Sequence, residues 1–427
     1  MSPTIYPTGV TIHYPDKAHP TLVLFDGRDG KSHLIDMNGN EVRSWPYTAF
    51  PAEMIDPALT GGGTAHVFVQ KEPDVFDNKT LLELDWDGDV VWQWGPEAPG
   101  GRAWQAWDQA RLPNGNTLIF SIVERTVESL SPDPIRDQVI YEVVPDGTLA
   151  WTWSSADHLD QFGLSDAARP MVTDKRSRGR PTLLTLNNMS PLGPNRRFRD
   201  GDTRFDPANI MIDSREVNFI AIIERATGDV VWRLGPGYPA DYDFSKKAFR
   251  GPFPRPIDTI SGQHDAHIIP DGLPGAGNLL LFDNQGSAGM PPVYLEFMQG
   301  SRVLEIDPLT EEIVWQYDGA AGGRDYWSFF SCFISSARRL ANGNTLICEG
   351  MHGRVFQVTP DGETVWEYMN PYFGPHGEHG TPTGGKMVSW IFRAQPVPYD
   401  WAPAGTKMSE DPVIPPDLAQ YRVNAQG

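Results

Sequence analysis

Gln138-Val139-Ile140-Tyr141-Glu142-Val143-Val144, then Pro145-Asp146-Gly147-Thr148, then Leu149-Ala150-Trp151 reads as strand, tight turn and strand. The first run is β-branched and aromatic, and Asp-Gly tolerates the positive φ that a hairpin turn needs. The same unit, a turn leading into a strand that ends in tryptophan, recurs along the chain. Its other copies are Asn38-Gly39…Trp45, Asp87-Gly88…Trp92, Thr227-Gly228…Trp232, Thr310-Glu311…Trp315 and Asp361-Gly362…Trp366. Six copies at irregular spacing indicate a repeat architecture rather than several unrelated domains.

A second hairpin precedes the first in each unit. Leu112-Pro113-Asn114-Gly115-Asn116-Thr117-Leu118-Ile119 and Leu340-Ala341-Asn342-Gly343-Asn344-Thr345-Leu346-Ile347 show its turn, and Ile269-Pro270-Asp271-Gly272…Asn278-Leu279-Leu280 is a lengthened form. Two hairpins in series make a four-stranded antiparallel sheet, one propeller blade, whose strands are lettered A to D with tryptophan on D. The sequence therefore predicts an all-β fold, a single six-bladed β-propeller. Its blades fall near 20–50 plus 386–395, 51–96, 103–155, 183–235, 262–318 and 329–369, with a Pro-rich tail over 398–427. The first unit lacks its own A strand. Lys386-Met387-Val388-Ser389-Trp390-Ile391-Phe392 is expected to supply it, so that the two termini pair and close the ring.

Composition narrows the function. A formal charge of −20 opposes nucleic-acid and anionic-membrane partners, and no apolar run approaches the roughly 20 residues that span a bilayer. Cys332 and Cys348 are too few for a disulfide framework and read as small core side chains. Met1–Pro7 has neither a basic flank nor an apolar core, so the expected location is cytoplasmic unless a leader has been trimmed. Oligomeric state is left open.

In a propeller, A–B and C–D turns share one face, and B–C and D–A connections share the other. The long segments here are mostly D–A (155–182, 236–262, 370–385) and B–C (126–137, 285–300), which places the expected site on that face, over the channel. The A–B loop 191–207, with Arg196, Arg197, Arg199 and Arg204, falls opposite and reads as a solvated basic loop or an intermolecular contact. Aligned turns put His264 level with Trp107 and Ser335 at A-strand starts. B strands end near Arg28, Glu124, Arg215, Asp283 and Glu349, with His352 and Arg354 just beyond. Histidine, arginine and carboxylates converging on one concavity is the composition of an active site.

Gly9-Val10-Thr11-Ile12, Leu34-Ile35-Asp36, the Asn-Gly-Asn-Thr-Leu-Ile turns, Gln263-His264-Asp265-Ala266-His267 with Phe282-Asp283-Asn284, and Gly350-Met351-His352-Gly353-Arg354-Val355-Phe356 together resemble bacterial arylsulfotransferases. That resemblance implies a six-bladed propeller transferring sulfuryl groups between phenols through a sulfated histidine. His264 matches that histidine, and Arg215 matches an arginine that holds the sulfate. Two further family histidines are replaced: a His-His-Asp stretch reads Ala106-Trp107-Asp108, and the other position falls near Thr185 in Leu184-Thr185-Leu186-Asn187-Asn188.

Transfer of a sulfuryl group needs cationic clamps on its oxygens and a nucleophile in line with the leaving oxygen. Neutral imidazole and arginine meet those needs. His264 and Arg215 are thus the expected catalytic pair, with Trp107, Asp108, Glu124, Asn187, Ser335, His352 and Arg354 around a small aromatic substrate, Trp107 as its flat wall. The residues equally allow a lyase, hydrolase or isomerase with His264 as acid or base, or a non-catalytic propeller that binds a partner. No cofactor is expected. Strand alternation puts His264, Ala266 and Ile268 on one face and Asp265, His267 and Ile269 on the other, so His264 and His267 cannot chelate one ion. His376 and His379, in a Gly-rich loop, are weaker metal candidates.

Overall fold

The computed structural model describes residues 8–72, 79–95, 97–98, 101–166, 168–169, 183–237, 255–285, 300–375 and 387–416. Six antiparallel blades surround one axis. Blade one joins Ala394–Val397, Leu22–Asp26, Ser32–Ile35 and Glu41–Trp45; blade two runs Thr48–Ile55, His66–Gln70, Leu81–Leu84, Val90–Trp94. Blade three is Gly101–Arg111, Thr117–Val127, Ser131–Val143 and Leu149–Ser154, and blade four is Leu186–Pro191, Ile210–Ser214, Phe219–Ile223 and Val230–Leu234. Blade five is His264–Ile268, Leu279–Asp283, Arg302–Ile306 and Ile313–Tyr317. Blade six is Ser336–Arg339, Thr345–Glu349, Arg354–Val358 and Thr364–Met369, with Gly9–His13 added outside it. No helix among the described residues is long and apolar enough to cross a membrane.

The recurrent tryptophan now has a physical reason. Indole N–H groups on the outer strands donate to a backbone carbonyl at the C–D turn of the next blade. Trp45 reaches Asp85 (3.4 Å), Trp92 reaches Pro145 (3.0 Å), Trp153 reaches Gly228 (3.0 Å) and Trp232 reaches Pro308 (3.0 Å). Trp315 reaches Pro360 (2.8 Å), and Trp366 returns to Met37 of blade one at 2.7 Å. The bonds thus run once around the ring. In blade three the donor is Trp153 rather than Trp151, which stacks under the Arg225 guanidinium at 3.7 Å. Between blades, side chains such as Leu24, Val67 and Leu82 fill the interfaces. At the fifth C–D turn Glu311 adopts φ 58°, the left-handed conformation that glycine holds in the other copies.

Ring closure joins N- and C-terminal strands, but two details depart from expectation. The strand that completes blade one is Ala394–Val397, paired with Leu22–Phe25, not Lys386–Phe392. Met387–Val388 instead pairs with Gly374–Pro375, and Phe392 and Arg393 turn toward the channel, where they contact inner-strand residues. Gly9–His13 independently covers the outer edge of blade six, and His13 bridges to Val413. The segment 126–137 is also not a loop. Strands Thr117–Val127 and Ser131–Val143 pair from Thr117↔Val143 out to Val127↔Ser131, a long projecting hairpin.

The inner strands are bulged. Register shifts lie between Thr48 and Glu53, Gln105 and Gln109, Leu186 and Asn188, and His264 and His267. Trp107 (φ 68°) and Asp265 (φ 59°) hold left-handed conformations inside two of these shifts. A bulge re-aims side chains, so strict alternation along 264–269 does not hold. In the arginine-bearing loop, every one of the four arginines is ion-paired within the chain, Arg197 with Asp307 at 2.9 Å, Arg196 with Asp200, Arg199 with Asp271 and Arg204 with Asp202.

Candidate active site

His264 opens the inner strand of blade five and is buried. Its Nδ1 lies 2.7 Å from Asn284 Oδ1 and 3.0 Å from the Gly262 carbonyl. Asn284 is itself oriented, because its amide nitrogen donates to the Ser331 and Ile334 carbonyls, both at 2.7 Å. Two acceptors facing Nδ1 place the proton there and leave the lone pair on Nε2. Nε2 accepts the Ile334 backbone N–H at 3.0 Å. Burial, then the charge of Arg215, pushes the His264 pKa down to about 3, so the ring is neutral at ordinary pH.

Arg215 follows the second strand of blade four. Its terminal nitrogens reach Glu216 and the Cys332 carbonyl, the latter at 3.3 Å, while its buried Nε has no hydrogen-bond partner among the described residues. The Phe392 ring meets His264 edge-on (centroids 6.1 Å) and packs against Phe50 at 4.2 Å; Trp390 meets Phe333 at 4.8 Å. Beside them lies a cavity of about 160 Å³ lined by Arg28, Tyr47, Phe50, Lys71, Trp390 and Phe392 among others. Aromatic walls with two cations suit an anionic aryl compound.

Beneath this mouth lies an ionic layer that sequence reasoning did not reveal. Arg393 donates to both oxygens of Asp108 (2.6 and 3.0 Å) and to Asn188 Oδ1 (3.0 Å), and its Nε lies 3.0 Å from Asp265. Arg338 also pairs with Asp265. Burial raises the pKa of Asp108 even against the opposing Arg393 charge, and raises that of Asp213 further. The only sequence signal for Arg393 is its place directly after an apolar stretch in the ring-closing segment.

The other expected residues disperse. Trp107 belongs to the hydrophobic core rather than to an open wall, and Asp108 sits in the Arg393 layer. Asn187 donates to the Gln263 carbonyl at 3.1 Å, leaving Oδ1 buried without a partner among the described residues. Ser335 Oγ accepts the Gly350 N–H at 3.0 Å. Glu124 is exposed on the projecting hairpin, paired with Arg136. His352 donates to the Phe330 carbonyl at 3.1 Å. Arg354 is buried between Glu349 (3.2 Å) and Glu367 (2.5 Å) over the Phe356 ring, an arrangement that engages it structurally. Asp283 is held by Arg302 and the Ser261 N–H. His376 and His379 lie outside the described residues, among which no group of three or more potential ligands could hold a metal ion.

A family model described as Arylsulfotransferase (ASST) matches residues 80–371. This chain belongs to the arylsulfotransferase family. No curated protein matches it. Among solved structures, this arylsulfotransferase family member is similar to a protein of unknown function from Bacteroides caccae, with 12% identity over 89% of this chain and 99% of that one and a TM-score of 0.47. A streptogramin B lyase matches at 14% identity, 91% and 93% coverage and TM-score 0.40. AztD from Citrobacter koseri matches at 10% identity, 89% and 99% coverage and TM-score 0.36. Within the arylsulfotransferase match lie Trp107, Thr185, Arg215 and His264.

Proposed function

We propose that the protein transfers a sulfuryl group from an aryl sulfate to a phenol, with His264 as the relay and Arg215 as the clamp on the sulfate. The observation that carries this reading is the fixed neutral tautomer of His264, whose Nε2 keeps its lone pair. In the first step Nε2 forms an N–S bond and the S–O bond to the donor phenol breaks, releasing phenolate. In the second, the acceptor phenol gives its proton to solvent, its oxygen bonds to sulfur, and the N–S bond breaks, returning the electron pair to Nε2 of neutral His264. Arg215 Nε, a donor without a partner among the described residues, suits the oxyanion that accumulates charge. The aromatic cavity bounded by Phe392 suits the ring of the donor or acceptor.

The Ile334 N–H on Nε2 must be given up before attack, and that bond favours a second reading in which the imidazole is a structural strut. One experiment separates them. The protein is incubated with 4-nitrophenyl sulfate and a phenol, and nitrophenolate release and intact mass are followed. Transfer predicts release together with a sulfuryl-sized mass gain, both absent in His264→Ala. Unchanged turnover in His264→Ala, or no turnover and no gain in the native protein, removes the reading.

A further inference from the structure

The opposite end of the channel, toward the A–B turns, holds a second cavity of about 250 Å³. It shares no lining residue with the aromatic cavity. Each blade contributes a polar inner-strand group: Gln395, Glu53, Asp108, Asn188, His267 and Arg338 from blades one to six, with Arg393 just before the first of these strands.

Five of these seven groups are engaged by hydrogen bonds or ion pairs, Gln395 among them through the Met54 backbone. Arg393 holds Asp108, Asn188 and Asp265; Arg338 holds Asp265; and Arg339, also in the lining, holds Glu305 at 2.7 Å. Two are not. His267 is buried, its Nδ1 lies 2.7 Å from the Asp265 carbonyl, and its Nε2 has no hydrogen-bond partner among the described residues. Among the described residues, the Glu53 carboxyl accepts a single side-chain hydrogen bond, a 3.5 Å contact from Gln109. The bulge at Asp265 brings His267 into this lining, and blades two and five stand across the ring from each other. A carboxyl and an imidazole therefore face the cavity from opposite walls, each with unused hydrogen-bonding capacity.

We infer that this cavity is a binding site for a small uncharged, hydroxyl-bearing molecule, gripped between Glu53 and His267. Its volume lies below the roughly 300 Å³ at which drug-sized ligands begin, which limits the occupant to about the size of a simple polyol or monosaccharide. The paired arginines and carboxylates of the wall cancel, so no net field selects an anion or a cation. Desolvation and the Asp108 charge push the Glu53 pKa up to about 8, so at neutral pH the carboxyl is a hydrogen-bond donor. Burial and Arg338 push His267 down to about 4, so its Nε2 is an acceptor. A hydroxyl-bearing ligand satisfies both ends, and a bound sulfate could accept from Glu53 but offer nothing to His267.

Saturation-transfer NMR on the intact protein, with glycerol, glucose and myo-inositol as probes and acetate and sulfate as charged controls, tests this. At least one polyol is expected to receive saturation, with neither control doing so. His267→Phe and Glu53→Leu should each weaken binding roughly tenfold, the worth of one buried hydrogen bond, whereas Glu53→Gln, which keeps a donor, retains it. Raising the pH past 8 ionises Glu53 against Asp108 and beside Arg393, Arg338 and Gln109, and should weaken binding in the native protein but not in Glu53→Gln. Circular dichroism checks that each variant is folded. If one leucine or phenylalanine variant does not fold, the other and the pH contrast still decide. No polyol signal, preferential binding of a charged control, or a signal indifferent to both substitutions and to pH overturns the inference.

Discussion

Replacing Arg393 with methionine keeps an apolar stem of similar length and removes the guanidinium that holds the channel together. Three hydrogen bonds to Asp108 and Asn188 and the ion pair to Asp265 are lost at once. Breaking a buried pair by removing one partner costs about 3–5 kcal/mol, because the remaining charge stays buried without compensation. With an unfolding entropy of about 2.1 cal/mol/K per residue, that corresponds to a drop in Tm of roughly 3–5 °C for a chain of 427 residues. The deficit depends on pH in a definite direction. Arg393 opposes the upward pKa shifts of Asp108 and Glu53, so its loss carries both further above their unfolded values near 4. The native state then keeps protons that the unfolded state has released, and stability falls as pH rises above about 4. Scanning calorimetry of native protein and variant at pH 5 and pH 8 should show the smaller gap at pH 5. Adding Asp108→Asn to the variant should recover at least about 1 kcal/mol, since the two positions share one network. A gap below 1 °C, or one wider at pH 5, refutes the ionic-layer argument.

Two further outcomes follow from the same geometry. Arg215→Lys keeps a charge but loses the planar donors, and kcat/KM for 4-nitrophenyl sulfate should fall on the order of 10²-fold, read from initial rates of nitrophenolate release; an unchanged value would show that Arg215 holds no sulfate. Trp366→Phe strands the Met37 carbonyl and opens one link of the indole ring, which should reduce stability by about 1–3 kcal/mol in urea titration, with Trp92→Phe smaller because its site is more exposed.

The blade count was legible because turn chemistry and tryptophan recur at corresponding positions, and the indole-to-carbonyl ring explains why they do. The closing strand was misplaced by a few residues for a definite reason. Gln395-Pro396 argues against a strand when read as a central one, whereas Met387–Phe392 carries none of proline's penalty. The innermost strand of a blade is an edge strand, and there Pro396 fits, paired with Val23. The bulges were not legible either. Left-handed Trp107 and Asp265 are not glycines, so no residue type marks them, and alternation then assigned His267 wrongly. His264 entered as a candidate through its motif and Arg215 through its match to a family arginine. Arg393 was missed because a single arginine beside apolar residues looks like any surface residue until the closing segment is placed over the channel. Glu124 was put at a strand end that proved to be the middle of a longer hairpin.

The clasp between Leu22 and Val397 joins positions 375 residues apart. At synthesis rates of about 5–20 residues per second, the second strand of blade one waits on the order of 20–75 s for its inner neighbour to emerge. Through that interval the later blades can collapse from local hairpins, while blade one presents an unpaired edge of Leu22, Val23, Leu24 and Phe25. Ring closure therefore waits on a strand made late, and until then the nascent chain carries an unpaired apolar strand edge of the kind that invites association.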